Sequence, residues 1–335
     1  MNRGQPRGDN SGRHWNIDLD GIIDKVKGSG AKSVGLQFPA GLKHLFYIVG
    51  QIEEETGAEV MISGRSSYGA CDIDEPLRDS VDLLFHFGHS EITFDEKTEF
   101  VEVTSDIDVS SVIKEALSVI QYDSRSVGLI TTVQHVHKLA AAKNILEAAG
   151  KVVVIGEGGT RIKYPGQVLG CNFTTARVDC DELLFIGSGE FHPVGASIAT
   201  GKRVVIADPL AGEVRISDPE RLMRKRYARI GTVLDAKSFG ILICSKNGQK
   251  RVELAEELKR KGISAGREVY MILMDEFDSD QLLSFNVDFF VSTACPRIAI
   301  DDISRFKKPI LTPIELEVVL GMREWEDIVF DEILD

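Results

Sequence analysis

The sequence predicts an α/β protein of three tandem repeats, each a small domain with a mostly parallel sheet, grouped around a pseudo-threefold centre. Two landmarks carry that prediction. Lys32-Ser33-Val34-Gly35-Leu36, Arg125-Ser126-Val127-Gly128-Leu129 and Lys237-Ser238-Phe239-Gly240-Ile241 are near-copies, 93 and 112 residues apart. Val81-Asp82-Leu83-Leu84-Phe85, Asp181-Glu182-Leu183-Leu184-Phe185 and Val287-Asp288-Phe289-Phe290-Val291 follow them; with Asp82, Glu182 and Asp288 matched, the offsets are 50, 57 and 51 residues. Two landmarks that keep their spacing through three copies mark internal repetition.

The flanks agree in order. Each first landmark opens a strand-type apolar run and passes through a polar or Gly/Pro loop. A helix-periodic stretch follows, at Gly41 to Glu55, Lys138 to Ala149 and Arg251 to Lys261, with Gly57, Gly150 and Gly262 as its expected stops. Second strands are expected at Glu59 to Ile62, Val152 to Ile155 and Tyr270 to Leu273. The second landmark supplies the third strand. A further edge-type strand is expected at Glu99 to Val103, Arg203 to Ala207 and Lys308 to Leu311. Strands alternating with helices over short connections give parallel sheets. The expected domains are 15–123, 124–235 and 236–335, after a disordered tail over 1–14.

Composition narrows the class. With 335 residues, 43% hydrophobic and 27% charged, the chain is long and apolar enough for two or three cores. No apolar run has membrane-spanning length and Met1 to His14 holds no signal core, so no membrane span or secretion is expected and the cytosol is the default compartment. The 39 Lys and Arg against 52 Asp and Glu give a net charge of −13, which disfavours nucleic acid as a ligand. The one dense basic run, Arg221, Arg224, Lys225, Arg226 and Arg229, reads as a solvated helix face, or as a patch that docks a protein substrate.

In open α/β sheets, ligands collect beyond the carboxyl ends of the strands. Three of the five cysteines fall there, one per repeat. Cys71 and Cys171 stand 11 residues before Asp82 and Glu182, and Cys295 ends a landmark strand ahead of Pro296. One reading is burial of three small hydrophobes. The other is a single site with three thiolate ligands. Structural zinc takes four ligands, often from CxxC pairs that are absent here, so an iron–sulfur cluster with one open iron suits three thiolates better. Cys180 and Cys244 read as packing residues, with a site role as the alternative for Cys244, which lies close to a strand end.

Tyr68-Gly69-Ala70-Cys71-Asp72-Ile73, Gly166-Gln167-Val168-Leu169-Gly170-Cys171 and Thr293-Ala294-Cys295-Pro296-Arg297 resemble the cysteine motifs of the archaeal diphthamide-biosynthesis enzymes, the 2-(3-amino-3-carboxypropyl)histidine synthases. Gln37-Phe38-Pro39-Ala40-Gly41-Leu42 and Phe191-His192-Pro193-Val194-Gly195 are similar to that family too. The resemblance spans all three repeats. It implies a 4Fe-4S cluster on Cys71, Cys171 and Cys295 whose fourth iron binds S-adenosylmethionine, a non-standard radical chemistry without the CxxxCxxC motif. It also implies transfer of the aminocarboxypropyl group to a histidine imidazole of translation elongation factor 2, release of methylthioadenosine, and a homodimer.

The methionyl carboxylate of such a co-substrate needs cationic or amide donors. Candidates are Gln37, Ser188 in the loop Gly187-Ser188-Gly189, His192, Lys246 and Gln249 in the loop Ser245 to Gln249, and Arg297. Solvation or surface pairing is the alternative for Arg297 and Lys246, and capping of a turn for His192. Gly156-Glu157-Gly158-Gly159 lacks the full GxGxxG pattern and reads as a flexible loop, suited to a mobile wall near Cys171. His86, His89, His135 and His137 sit at strand ends, with core or hydrogen-bonding roles as the default. Competing readings are another three-cysteine cluster enzyme of triple α/β architecture, such as quinolinate synthase or the reductase making isoprenoid diphosphates, and a non-catalytic cluster-bearing partner subunit.

Overall fold

We analysed the fold in a computed structural model that describes residues 14–92, 94–301 and 305–334; the expected tail lies outside them except for His14. The chain opens with β1 (Trp15–Asn16) and α1 (Leu19–Ser29), whose first turn is capped by the Asp18 carboxylate accepting from Gly21 N–H. Then come β2 (Ser33–Gln37), α2 (Val49–Thr56), β3 (Glu59–Ile62), α3 (Glu75–Ser80), β4 (Leu83–Phe87), β5 (Thr98–Val101) and β6 (Thr104–Ser105). The second stretch runs α4 (Ser110–Val119), β7 (Ser126–Thr131), α5 (Leu139–Ala148), β8 (Val152–Val154), β9 (Glu182–Ile186), α6 (Phe191–Thr200), β10 (Val204–Asp208) and β11 (Glu213–Ile216). The third runs α7 (Pro219–Gly231), β12 (Ser238–Cys244), α8 (Val252–Ser264), β13 (Glu268–Met274), α9 (Ser279–Leu283), β14 (Phe289–Ser292), α10 (Pro296–Ile300), β15 (Ile310–Leu311) and α11 (Pro313–Val319).

Three sheets result, ordered β3-β2-β4-β5, β8-β7-β9-β10-β11 and β13-β12-β14-β15. Each places its strands in the order second, first, third, fourth. All pairings within them are parallel except β11, which turns back antiparallel on β10. That hairpin and the short antiparallel β1–β6 pair have no signal in the landmarks.

The repeated landmarks are two halves of one clamp. Asp82 Oδ2 accepts from Lys32 N–H, Ser33 N–H and the Ser33 hydroxyl at 2.8, 2.9 and 3.1 Å. Asp181 does the same to Arg125 and Ser126 at 2.7, 2.8 and 3.0 Å, and Asp288 to Lys237 and Ser238 at 2.8, 2.9 and 3.1 Å. Each Ser hydroxyl in turn accepts from the Asp N–H. The match in the second copy is therefore Asp181, not Glu182. With that register Cys71 stands 11 residues before its clamp aspartate and Cys171 stands 10 before its own, so the two loops are neighbours in design without being superimposable in length. The landmark glycines are needed for close packing: a Cβ on Gly35, Gly128 or Gly240 would lie 2.9, 2.6 or 2.8 Å from Leu84, Leu183 or Ile272.

Gly262 is not a stop. It lies inside α8, where a Cβ would meet the Phe239 ring at 2.6 Å, and the chain turns at Gly266 with φ 76°. The first helix begins later than expected, because a 3₁₀ turn over Ala40–Ile48 precedes α2, whereas α5 lies within one residue of its expected bounds.

Packing divides the chain about one helix earlier than the expected boundaries. Val112, Ile113 and Ala116 of α4 belong to the core beneath β7 and β9, and Ile230 of α7 to the core of Phe239 and Phe289. On α4 the cause is its apolar face, and on α7 the basic run contributes as well. Arg226 is 2% exposed, pairs with the buried Glu315 carboxylate, and donates to the carbonyls of Ala299 and Ile310. A guanidinium so enclosed is a structural rivet, and only Arg221, Arg224 and Lys225 of that run are exposed.

A further cluster joins Ile130, Phe173 and Phe185 to Leu242, Phe290 and Phe306, so the second and third sheets share a core. The apolar cluster of the first sheet holds, among the described residues, only residues between Trp15 and Val103. Polar bonds link it to the rest: Gln134 donates to the Gly88 carbonyl at 2.7 Å, Gln167 to Ser90 Oγ at 2.6 Å, and Tyr164 to Glu102 at 2.8 Å.

The backbone donors first, and the serine hydroxyls with them, hold Asp82, Asp181 and Asp288 below the ordinary carboxylate range. Lowered native pKa values give stability that is present above the unfolded value, about 3.9, and lost as pH falls through the native one. Asp181→Asn is expected to lower the urea midpoint at pH 7, with the gap from wild type shrinking as pH falls below about 4. A gap that is unchanged between pH 7 and pH 2.5 would contradict the clamp.

Candidate metal centre

The three loop cysteines lie after the carboxyl ends of strands in three different sheets: Cys71 after β3, Cys171 after β8, and Cys295 between β14 and α10. All three line one cavity of about 320 Å³. Cys171 is buried and the other two are partly buried.

Each loop is held from below. Gln37, at the end of β2, donates through Nε2 to the Asp72 carbonyl at 2.8 Å and accepts at Oε1 from Asp74 N–H at 3.1 Å, bracketing the residues that follow Cys71. The Asp72 carboxylate accepts from Tyr68 N–H at 3.0 Å and pairs with Lys246 Nζ at 2.5 Å. The loop of Lys246 runs so close that a Cβ on Gly248 would sit 2.5 Å from that of Cys71. The Cys171 carbonyl accepts from Ile333 N–H at 2.8 Å, and Cys295 N–H donates to Gln249 Oε1 at 3.2 Å.

The cavity is electrostatically unusual. Burial, followed by the charges of Cys171 and Cys295, pushes the Cys71 thiol well above its ordinary value. Burial and Cys171 push Cys295 up to about 12, and burial raises Cys171 against the opposing pull of Arg161. Three thiols that cannot ionise together fit a cationic occupant that replaces their protons. Among the described residues no set of three His, Cys, Asp or Glu side chains converges closely enough for a single ion. A donor set of three sulfurs spread round one cavity is suited to a polynuclear thiolate cluster.

His89, His192 and Arg297 line the same cavity. Burial, opposed by Asp72 and aided by Arg297, lowers His89 to about 4; burial, then Arg297 and His89, lowers His192 to about 3. Both rings are neutral at physiological pH. Arg297 lies 4.7 Å over the Phe191 ring and 5.7 Å over Tyr68, and donates to Asp301 at 2.6 Å. A second cavity of about 250 Å³ shares Tyr68, Cys295 and Arg297 with the first and is lined further by Cys244, Lys246, Gln249 and Asp275.

Of the residues expected to contact a co-substrate, His192, Arg297, Lys246 and Gln249 reach these cavities. Gln37 and Ser188 do not. The Gln37 amide is committed to the Cys71 loop and His86, and Ser188 is exposed and bonded to Asp208 at 2.6 Å. Lys246 is ion-paired rather than solvated. The 156–159 loop lines neither cavity; a Cβ on Gly158 would meet Thr175 at 2.8 Å, and Gly159 N–H donates to Thr174 Oγ1 at 2.9 Å. Cys180 packs under Gly128 as expected. His135 and His137 stay away from the centre, the latter bonded to the Ser105 carbonyl. Asp72 and Arg161, which set the charge around Cys71, went unnoticed in the sequence; Asp72 adjoins a motif cysteine, whereas nothing local singles out Arg161.

Residues 38–329 match the family model "Putative diphthamide synthesis protein". The chain is 40% identical over 317 residues to the 2-(3-amino-3-carboxypropyl)histidine synthase of Pyrococcus horikoshii, covering 93% of this chain and 92% of that one. It is 30% identical to subunit 1 of the Gallus gallus 2-(3-amino-3-carboxypropyl)histidine synthase, over 93% and 78% of the two chains. The crystal structure of Dph2 from Pyrococcus horikoshii with a 4Fe-4S cluster is similar at a TM-score of 0.88 and 40% identity, over 95% of this chain and 94% of that one.

In the metal-free chain at pH 8, Cys71, Cys171 and Cys295 are expected to react with iodoacetamide at least about 10-fold more slowly than an exposed cysteine, since the thiolate is the nucleophile. Peptide mapping of the alkylated cysteines checks this; reaction at the rate of the denatured chain counts against the raised pKa values.

Proposed function

Because the chain belongs to the diphthamide synthesis protein family, we propose that it catalyses the first step of diphthamide biosynthesis, as a transferase that moves the 3-amino-3-carboxypropyl group of S-adenosylmethionine to a histidine imidazole. The observation that carries this reading is the meeting of Cys71, Cys171 and Cys295, one from each sheet, on a single cavity. These residues would hold a 4Fe-4S cluster. When bound, that cluster with one open iron supplies the low-potential electron for cleaving a sulfonium bond and releasing methylthioadenosine.

The chain itself supplies placement. Which carbon of the sulfonium is cleaved depends on which is held against the centre, so the groups that orient the methionyl moiety decide the product. Arg297, on the wall common to both cavities, is placed to meet the methionyl carboxylate, while Lys246 and Gln249 line the adjoining space. The Phe191 ring beneath Arg297 keeps its guanidinium in position.

The protein substrate is translation elongation factor 2, the place of work is the cytoplasm, and the working form is a homodimer. The net charge of −13, which disfavours nucleic acid, agrees with a protein substrate, and a relative named as subunit 1 of its synthase agrees with an assembly of more than one chain. Among the described residues no helix is long and apolar enough to cross a membrane.

Anaerobic reconstitution with iron and sulfide is expected to give absorbance near roughly 400 nm, typical of iron–sulfur charge transfer, that Cys71→Ala, Cys171→Ala or Cys295→Ala diminishes. The reduced holoenzyme is expected to release methylthioadenosine from S-adenosylmethionine. An intact cluster with no methylthioadenosine overturns the proposal.

A further inference from the structure

A chain of hydrogen bonds fixes the proton positions on two histidines behind the cavity. Gln37 cannot flip, because its Nε2 faces the Asp72 carbonyl and its Oε1 faces Asp74 N–H. His86 Nδ1 lies 3.0 Å from that same Oε1, so it is the ring nitrogen that carries the proton. His86 is buried and neutral, which leaves Nε2 as an acceptor. That acceptor lies 2.9 Å from His89 Nδ1, which must therefore donate. By elimination His89 Nε2 is the bare lone pair on a ring that lines the cysteine cavity.

The repeat places His89 as deliberately as it places a cysteine. Seven residues after clamp Asp288 stands Cys295, and seven after clamp Asp82 stands His89. The equivalent in the second repeat, Ser188, is turned away onto Asp208.

The transfer has a proton to dispose of. Attaching a carbon group at imidazole C2 breaks the C–S bond of the sulfonium; in the net balance its electron pair leaves with the thioether, and the one electron that opens the bond would be returned to the centre that supplied it when the adduct loses its proton. It forms a C–C bond at C2 and breaks C2–H, whose electron pair stays in the ring as the proton departs. The sum is redox-neutral and yields one proton. Building on the function proposed above, we propose that His89 Nε2 is the base that takes the C2 proton of the target histidine, with His86 and Gln37 as positioning residues that hold its tautomer. A weak base is sufficient, since loss of this proton restores aromaticity. The Asp72 carboxylate favours the protonated ring that results, and Arg297 opposes it. His192 is the other neutral ring on the cavity, but no hydrogen bond among the described residues sets its tautomer; it packs between Phe185 and Phe191.

The test is His89→Asn, whose amide still donates to His86 but has no group in place of Nε2. The holoenzyme variant is expected to keep its cluster absorbance and to release methylthioadenosine, while modified target forms about 100-fold more slowly or worse, the usual scale of a lost general base. With target histidine deuterated at C2, the variant is expected to show a primary isotope effect. Transfer at the wild-type rate, or ¹⁵N coupling of His89 to the cluster in the wild type, which would make it a ligand, overturns the proposal. Absence of methylthioadenosine from wild type would instead refute the function it builds on. A readout that needs neither activity nor a variant is ¹⁵N NMR of the histidine-labelled full chain without metal: His89 is expected to carry its proton on Nδ1, and a proton on Nε2 refutes the assignment even if the variant fails to fold.

Discussion

A carboxylate accepting from two successive N–H groups and a serine hydroxyl, repeated three times, is the interaction on which this molecule depends. Each clamp ties the start of the first strand to the start of the third and so fixes their mutual register. With the amino ends pinned, the positions of the carboxyl ends follow from strand length, and with them the loops that bring Cys71, Cys171 and Cys295 to one cavity. A shift by one residue would reverse the facing of every side chain in a strand. The clamps are therefore a structural precondition of the centre, although no clamp residue lies in it.

This division explains what the sequence made legible. The clamp must be specified by particular residues, Ser and Asp at a near-constant separation, so it leaves a readable repeat, and from that repeat the parallel sheets and one cysteine per unit can be inferred. The single-residue error in the second copy arose because Asp181 and Glu182 are adjacent acids and only the hydrogen bonds distinguish them. Helix ends were less legible, because Gly262 is small for the sake of Phe239 rather than for a turn. The basic run on α7 was misleading for a similar reason: pairing of Arg226 with Glu315, 89 residues away, is invisible to local charge pattern. Arg161 and the Lys246–Asp72 pair depend on contacts between units and have no local signature at all.

The centre combines groups that are each unfavourable alone. Three thiols round one cavity resist ionisation, two partly buried imidazoles stay neutral, and one guanidinium is stabilised by an aromatic face and a carboxylate. Such an arrangement holds together because its backbone is satisfied from outside, by Gln37 below Cys71, Ile333 beside Cys171 and Gln249 at Cys295. The residues that hold the loops and those that face the cavity are largely distinct sets, so chemistry and scaffold meet at the backbone of each cysteine.

The seam around the first sheet has a consequence for hydration. The second and third sheets share buried Phe and Leu side chains, and parting them would expose a broad apolar surface to water. Along the seam to the first sheet, amides, carboxylates and ammonium groups recur, which water can solvate in place of their present partners, beside the stacking of Arg297 on Tyr68. No buried apolar cluster among the described residues bridges this seam as one bridges the other two sheets. The exposed ion pairs of Arg65 with Asp275 and of Lys163 with Glu102 make that side of the cavity the one whose cohesion falls as salt rises.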